Sequence, residues 1–171
     1  MTAIIGGAHL VVSDDDLLRI SVENPGWQFE RNDAGALLVS PPTLTPGGAK
    51  SGEAFGQLRD HAKRFGGKAF DAATGFKTPR GGVVSPAASW GSAERVAPFL
   101  SDHGFWQMMP DVVIEIAIKS DRWSRITAKI DKYAKDGAGY ALAINPETGE
   151  IYERGTPPPG LALDIAAIID A

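Results

Sequence analysis

Residues 111–118, DVVIEIAI, limit the fold of this 171-residue chain more than any other stretch. The run is almost continuously apolar and rich in β-branched side chains, the pattern of a strand covered on both faces. Asp121 is placed to cap a following helix over Arg122–Asp136, with Trp123, Ile126, Ile130 and Tyr133 on one stripe and Gly137 as its stop. A strand over Gly139–Ile144, a turn at Asn145–Gly149 and a strand over Glu150–Glu153 complete the segment. Strand, helix and strand in this order form a βαβ-type crossover, which predicts an α/β fold built on a mixed sheet.

The rest of the chain supplies shorter elements. Ser13 before three aspartates marks a helix start, with the helix running to about Val22. Trp27–Arg31 and Ala36–Val39 flank Asn32-Asp33-Ala34-Gly35, a hairpin signal. Ser51 is the expected cap of a second helix to Phe65, with Gly66 ending it. Short strands are expected at Lys68–Ala72, Gly75–Thr78, Val83–Ser85 and Ala88–Trp90, and a short helix over residues 92–100. The Pro- and Gly-rich stretches 41–48, 79–82 and 156–160 read as loops inside one domain spanning residues 1–171. Length agrees with a single domain.

Composition removes several function classes. Without cysteine there are no disulfides, thiolate zinc sites or cysteine nucleophiles, and a cytoplasmic setting is the default expectation. No apolar run is long enough to cross a membrane, and the first residues show no basic start of a secretory signal. A net charge of −4 excludes nucleic-acid binding by bulk positive charge. The layout is uneven, however: residues 59–80 and 119–135 each carry six basic side chains against two acidic ones. These read either as ordinary solvated helix faces or as local positive surface. His9, His61 and His103 have no zinc-hydrolase spacing, and the P-loop, dinucleotide-fold and serine-elbow motifs are missing. Trp90, Trp106 and Trp123 are candidates for base stacking, Trp123 fitting the core better.

Glu115 is the most informative single residue. Strand alternation sets Asp111, Val113, Glu115 and Ala117 on one face. A carboxylate in the middle of such a strand must be paired, hydrogen-bonded or metal-bound. Asp111 lies about 13 Å along the same face, too far for the two to chelate one ion symmetrically, and it alternatively caps the strand entrance. Lys129 on the crossover helix reads locally as a surface lysine, and Glu53 as a first-turn acid favourable to the helix dipole.

Taken in order, SGEAFGQL, AATGFK, GGVVSPAASW and PDVVIEIAIKSDRWSRITAKIDKYAKDGAGYALAINPETGEIYERG resemble the Uma family of putative restriction endonucleases, in the PD-(D/E)XK nuclease superfamily. The resemblance spans about residues 10–168. It implies a restriction-endonuclease-like mixed sheet flanked by helices, Mg²⁺ or Mn²⁺, and hydrolysis of DNA phosphodiesters; a homodimer is expected besides. By position, Glu115 matches the central metal-binding glutamate, Glu53 the acid of the early helix and Asp111 the aspartate of the PD dipeptide. Lys129 and Tyr133 match the helix positions, Lys129 standing in for a lysine displaced from the strand. From the basic stretch 119–135, Lys119, Arg122 and Arg125 are the candidate nucleic-acid contacts.

Two departures matter. The family's SPDASW appears here as Ser85-Pro86-Ala87-Ala88-Ser89-Trp90, so Ala87 stands at the position of the expected metal-binding aspartate. The third position of the ExK motif is Ala117. Losing a carboxylate weakens a hard-cation site. The expectation is therefore an impaired endonuclease, with a non-catalytic module that binds DNA or a protein partner as the alternative.

Overall fold

The computed structural model describes residues 11–101 and 103–171, together with the backbone of residues 3–5. The N-terminal residues read for a secretory signal fall largely outside these, as does His9.

Among the described residues two five-stranded sheets are flanked by five helices; one is the mixed sheet expected, and the other is wholly antiparallel. The first sheet contains β1 (Ala3–Ile5), β2 (Gln28–Arg31), β3 (Leu37–Ser40), β5 (Phe76–Lys77) and β6 (Val83–Val84), in the order β1-β3-β2-β6-β5. All its pairings are antiparallel. The second contains β4 (Lys68–Asp71), β7 (Ala88–Gly91), β8 (Val112–Ile116), β9 (Tyr140–Ile144) and β10 (Ile151–Gly155), in the order β10-β9-β8-β7-β4. Here β8 and β9 run parallel, as the crossover requires, and the remaining pairs are antiparallel. Three residues, Ser85-Pro86-Ala87, carry the chain from β6 in one sheet to β7 in the other.

Helix α1 (Asp14–Glu23) begins as its sequence dictates, Ser13 Oγ accepting from Asp16 N at 3.1 Å. The hairpin of β2 and β3 closes on Asn32, whose Oδ1 accepts from Ala34 N and Ala36 N. Helix α2 (Thr45–Phe65) starts six residues before the expected Ser51, with Leu44 in the cap position. The second half of the stretch read as a loop is helical, since Pro46 sits in the first turn, where its missing N–H leaves no bond unmade. Gly66 ends α2 at φ +84°, which side-chain-bearing residues rarely adopt.

Helix α3 (Ala93–Val96) passes into a 3₁₀ turn over Ala97–Phe99. Helix α4 (Trp123–Lys135) follows β8, but Asp121 is not its cap. Its carboxylate accepts from Ile118 N at 3.0 Å and closes the preceding turn. A final helix α5 (Ile165–Asp170), absent from the sequence reading, is capped by Asp164 through Ala167 N at 2.9 Å.

The three inner strands of the second sheet, β7, β8 and β9, are buried on both faces. Val112, Ile114 and Ile116 pack with Ala54 and Leu58 of α2 and with Ile168 of α5. Val113 and Ala117 pack with Ile126, Ile130 and Tyr133 of α4. At about 25 cal/mol per Å² of apolar surface, each fully buried branched side chain contributes roughly 1.5–3 kcal/mol before entropy is counted. The two-sided burial explains why β8 reads as an unbroken apolar run. It also sets Glu115, odd in that alternation, on the α4 face.

Candidate nuclease-type site

A cavity of about 670 Å³ opens between the two sheets and α4. Glu30 of β2, Ala87 of the crossing segment, Glu115 of β8, and Arg125, Lys129, Lys132 and Tyr133 of α4 all line it. Each arrives for a local reason. On α4 the spacing of 125, 129 and 132 places three cationic stems along one stripe, beside the buried stripe of Ile126, Ile130 and Tyr133. The β7–β8 register pairs Ala88 with Ile114, so one further step back along β7 sets Ala87 abreast of Glu115. Ala87 lines the cavity and also packs against the apolar cluster of the α2 face.

Glu115 is buried and doubly engaged. Its Oε1 lies 2.8 Å from Lys129 Nζ and accepts from Tyr133 Oη at 2.7 Å. The Lys129 ammonium also stands 3.7 Å from Glu30 Oε1 and 5.6 Å from the centre of the Tyr133 ring. Glu30 Oε1 accepts from Ser85 N at 2.7 Å, so the crossing segment is tied to β2 immediately beside Ala87. Burial pushes the Glu115 carboxyl up, and the Lys129 ammonium opposes it without cancelling it. Burial acts to lower Lys129, but Glu115 and Glu30 together outweigh it and hold the amine well above its ordinary value. Lys129 is therefore a cation throughout the neutral range. Tyr133 is pushed up by burial and by Glu115, which keeps its hydroxyl a donor.

Glu30 was not singled out in the sequence. It sits in a four-residue strand with no motif of its own, and its place at the site depends on how the two sheets meet. Alternation within the hairpin puts it on one face with Gln28, which also lines the cavity.

The other sequence-derived candidates lie elsewhere or at the margin. Glu53 is in the third turn of α2, not the first, and does not line the cavity. It accepts from Gln57 Nε2 at 3.0 Å, and Gln57 in turn bonds the Asp164 backbone beneath α5. Asp111 also lies outside the cavity lining. It pairs with Arg95 at 2.8 Å and accepts from Ser92 N at 2.7 Å, fastening α3 to the entrance of β8. Lys119, Arg122 and Arg125 are exposed on and beside the β8–α4 loop, Arg125 at the cavity wall. Trp90 donates to Gly66 O at 3.1 Å and meets His61 edge-on, while Trp106 stacks on Phe99, so both rings are engaged in packing.

A divalent ion of the kind the fold implies asks for several oxygen ligands, carboxylates among them. Here Ala87 presents a methyl, Glu115 Oε1 is occupied by Lys129 and Tyr133, and Glu30 Oε1 by Ser85 N. Among the described residues no group of three or more histidines or acids is placed to hold a metal. The residues present do not fit Mg²⁺ or Mn²⁺. What the site offers is a fixed ammonium, a carboxylate held by two donors, and a row of cations facing one hollow.

Nothing among curated proteins matches the chain. Among solved structures, a putative nuclease of the DUF820 group from Anabaena variabilis superimposes with a TM-score of 0.65 at 17% identity, covering 90% of this chain and 97% of that one. That likeness establishes the fold. The model of the Uma2 family, described as a putative restriction endonuclease, matches residues 14–157. The chain belongs to the Uma2 family of putative restriction endonucleases.

Proposed function

We propose that this protein is a DNA-directed nuclease of the metal-dependent endonuclease type whose hydrolytic step is impaired by Ala87. One observation carries the reading: Ala87 lines the same cavity as Glu115, Glu30 and Lys129, where a carboxylate would complete an acidic cluster. In this reading Lys129 faces a non-bridging phosphate oxygen and offsets its charge. Arg125 at the wall, with Lys119 and Arg122 beside it, holds the flanking backbone. Tyr133 fixes the orientation of Glu115. No step of hydrolysis is assigned to the chain as it stands, because its donors do not fit the metal. Residues 1–171 act as one domain, which the cavity shared by both sheets supports; the cytoplasmic setting follows from the composition, and a homodimer is proposed besides.

The test is Ala87→Asp with plasmid DNA and Mg²⁺ or Mn²⁺. Metal-dependent nicking by the variant, above that of the parent, supports the reading. A folded variant that gains neither nicking nor metal affinity counts against it.

The pairing of Lys129 with both glutamates favours a second reading, a non-catalytic module that keeps the fold to bind DNA or a protein partner. Salt-sensitive DNA affinity without cleavage, even in Ala87→Asp, distinguishes it.

A further inference from the structure

The cavity lacks a carboxylate at position 87, yet it keeps two others close together, and a pair of acids without compensation is unfavourable in a partly closed hollow. Compensation is already present in the chain. Lys129 Nζ is 2.8 Å from Glu115 and 3.7 Å from Glu30, and its stem leaves α4 beside the buried stripe of Ile126 and Ile130. We infer that Lys129 is the resident cation of this cavity, an ammonium held between Glu115 and Glu30 that makes the site independent of divalent metal.

Charge and geometry both support this. Within the cluster of Glu115, Glu30 and Lys129 the charges sum to −1, insufficient to match a divalent ion. A third carboxylate at position 87 would leave −2, which matches it. An ion entering the present site must take Glu115 Oε1 from an ammonium and from a tyrosine hydroxyl at 2.7 Å. The displaced ammonium would then remain in the same hollow against two further positive charges, because its helix is anchored by Ile126, Ile130 and Tyr133. The arrangement is not a sealed core pair, since Lys129, Glu115 and Ala87 all line the open cavity. The inference shares with the functional reading the two acids and Lys129, and it does not require DNA as a ligand.

The test is titration of the full chain with Mn²⁺, following the free-ion signal by electron paramagnetic resonance and the melting temperature in parallel. The parent is expected to show no saturable binding at millimolar ion. Lys129→Met is expected to melt lower than the parent in chelator, to recover as Mn²⁺ is added, and to bind the ion at least about tenfold more tightly than the parent. Saturable binding by the parent that is lost in Glu115→Gln would overturn the inference, as would a folded Lys129→Met with no gain in affinity. Lys129→Gln serves if the methionine variant does not fold, and the parent titration stands on its own. Nicking by Ala87→Asp together with tight Mn²⁺ binding by the parent would overturn this inference and leave the functional reading standing. The opposite pair of results would do the reverse.

Discussion

Tyr133 and Glu115 meet across the α4–β8 interface, the phenol donating to the carboxylate at 2.7 Å with both side chains buried. The contact joins the most constrained strand of the fold to the helix that carries the cations. Tyr133→Phe leaves the packing intact and removes one donor from a buried carboxylate. The expected cost is about 1–3 kcal/mol of stability, read from denaturant unfolding. Unchanged stability would mean that water replaces the hydroxyl there.

Arg31, which also lines the cavity next to Glu30, is a second test of the framework. Its guanidinium is buried, donates to Val12 O at 2.6 Å and to Gly81 O, and pairs with Asp14. Arg31→Met strands those carbonyls and should cost roughly 2–4 kcal/mol. A hydrogen bond from Lys77 at 2.6 Å, with help from Arg31 and against some burial, lowers the Asp14 carboxyl below its ordinary 3.8. A lowered acid contributes stability above its unfolded pKa and loses it as pH falls through the folded one. The Arg31→Met deficit should therefore narrow below about pH 3.8.

His61 predicts a separate acid limb. Its ring lies 4.7 Å from both Phe65 and Trp90, and among the described residues neither nitrogen makes a hydrogen bond of good geometry. Burial, opposed by the Gly160 backbone and assisted by the nearby Arg64, holds it below its ordinary 6.5. The unfolded chain then binds the proton more readily, so stability falls as pH drops through 6.5 and continues to fall until the folded ring protonates. His61→Phe should flatten the melting temperature against pH between about 7 and 5. An unchanged slope would place the limb on another group.

The exposed cations make a prediction about binding. If Lys119, Arg122 and Arg125 each neutralise one phosphate, replacing all three with alanine should reduce the slope of log affinity against log salt by about 2.7 for duplex DNA. The loss should be uniform across sequences. Fluorescence anisotropy at several salt concentrations measures both, and an unaltered slope would remove these residues from the interface.

How far the sequence could be read depended on where each signal was local. The strand β8, the helix α4 and the parallel strand β9 were legible because β-branched runs and a helical stripe declare themselves within a few residues. The first two turns of α2 were hidden by Pro46, Gly47 and Gly48, which mark a loop until a first-turn position makes proline acceptable. The division into two sheets was not legible, since it depends on Ser85–Ala87 leaving one sheet for the other. Glu30 was missed for the same reason: only the meeting of the sheets brings it near Lys129. Glu53 and Asp111 stood out by position, but their partners Gln57 and Arg95 come from contacts that no local pattern announces. Lys129 looked like a surface lysine because it stands in one row of α4 with Arg125 and Lys132, whereas the carboxylates it meets lie on β8 and β2.

The central claim is that position 87 is where the catalytic apparatus is incomplete. Plasmid nicking by purified Ala87→Asp in Mn²⁺, beside the parent and an Ala87→Asp, Glu115→Gln double variant, tests it most directly. The account predicts nicked product from the single variant alone, abolished by chelator. A folded Ala87→Asp protein that cleaves no more DNA than the parent would contradict it.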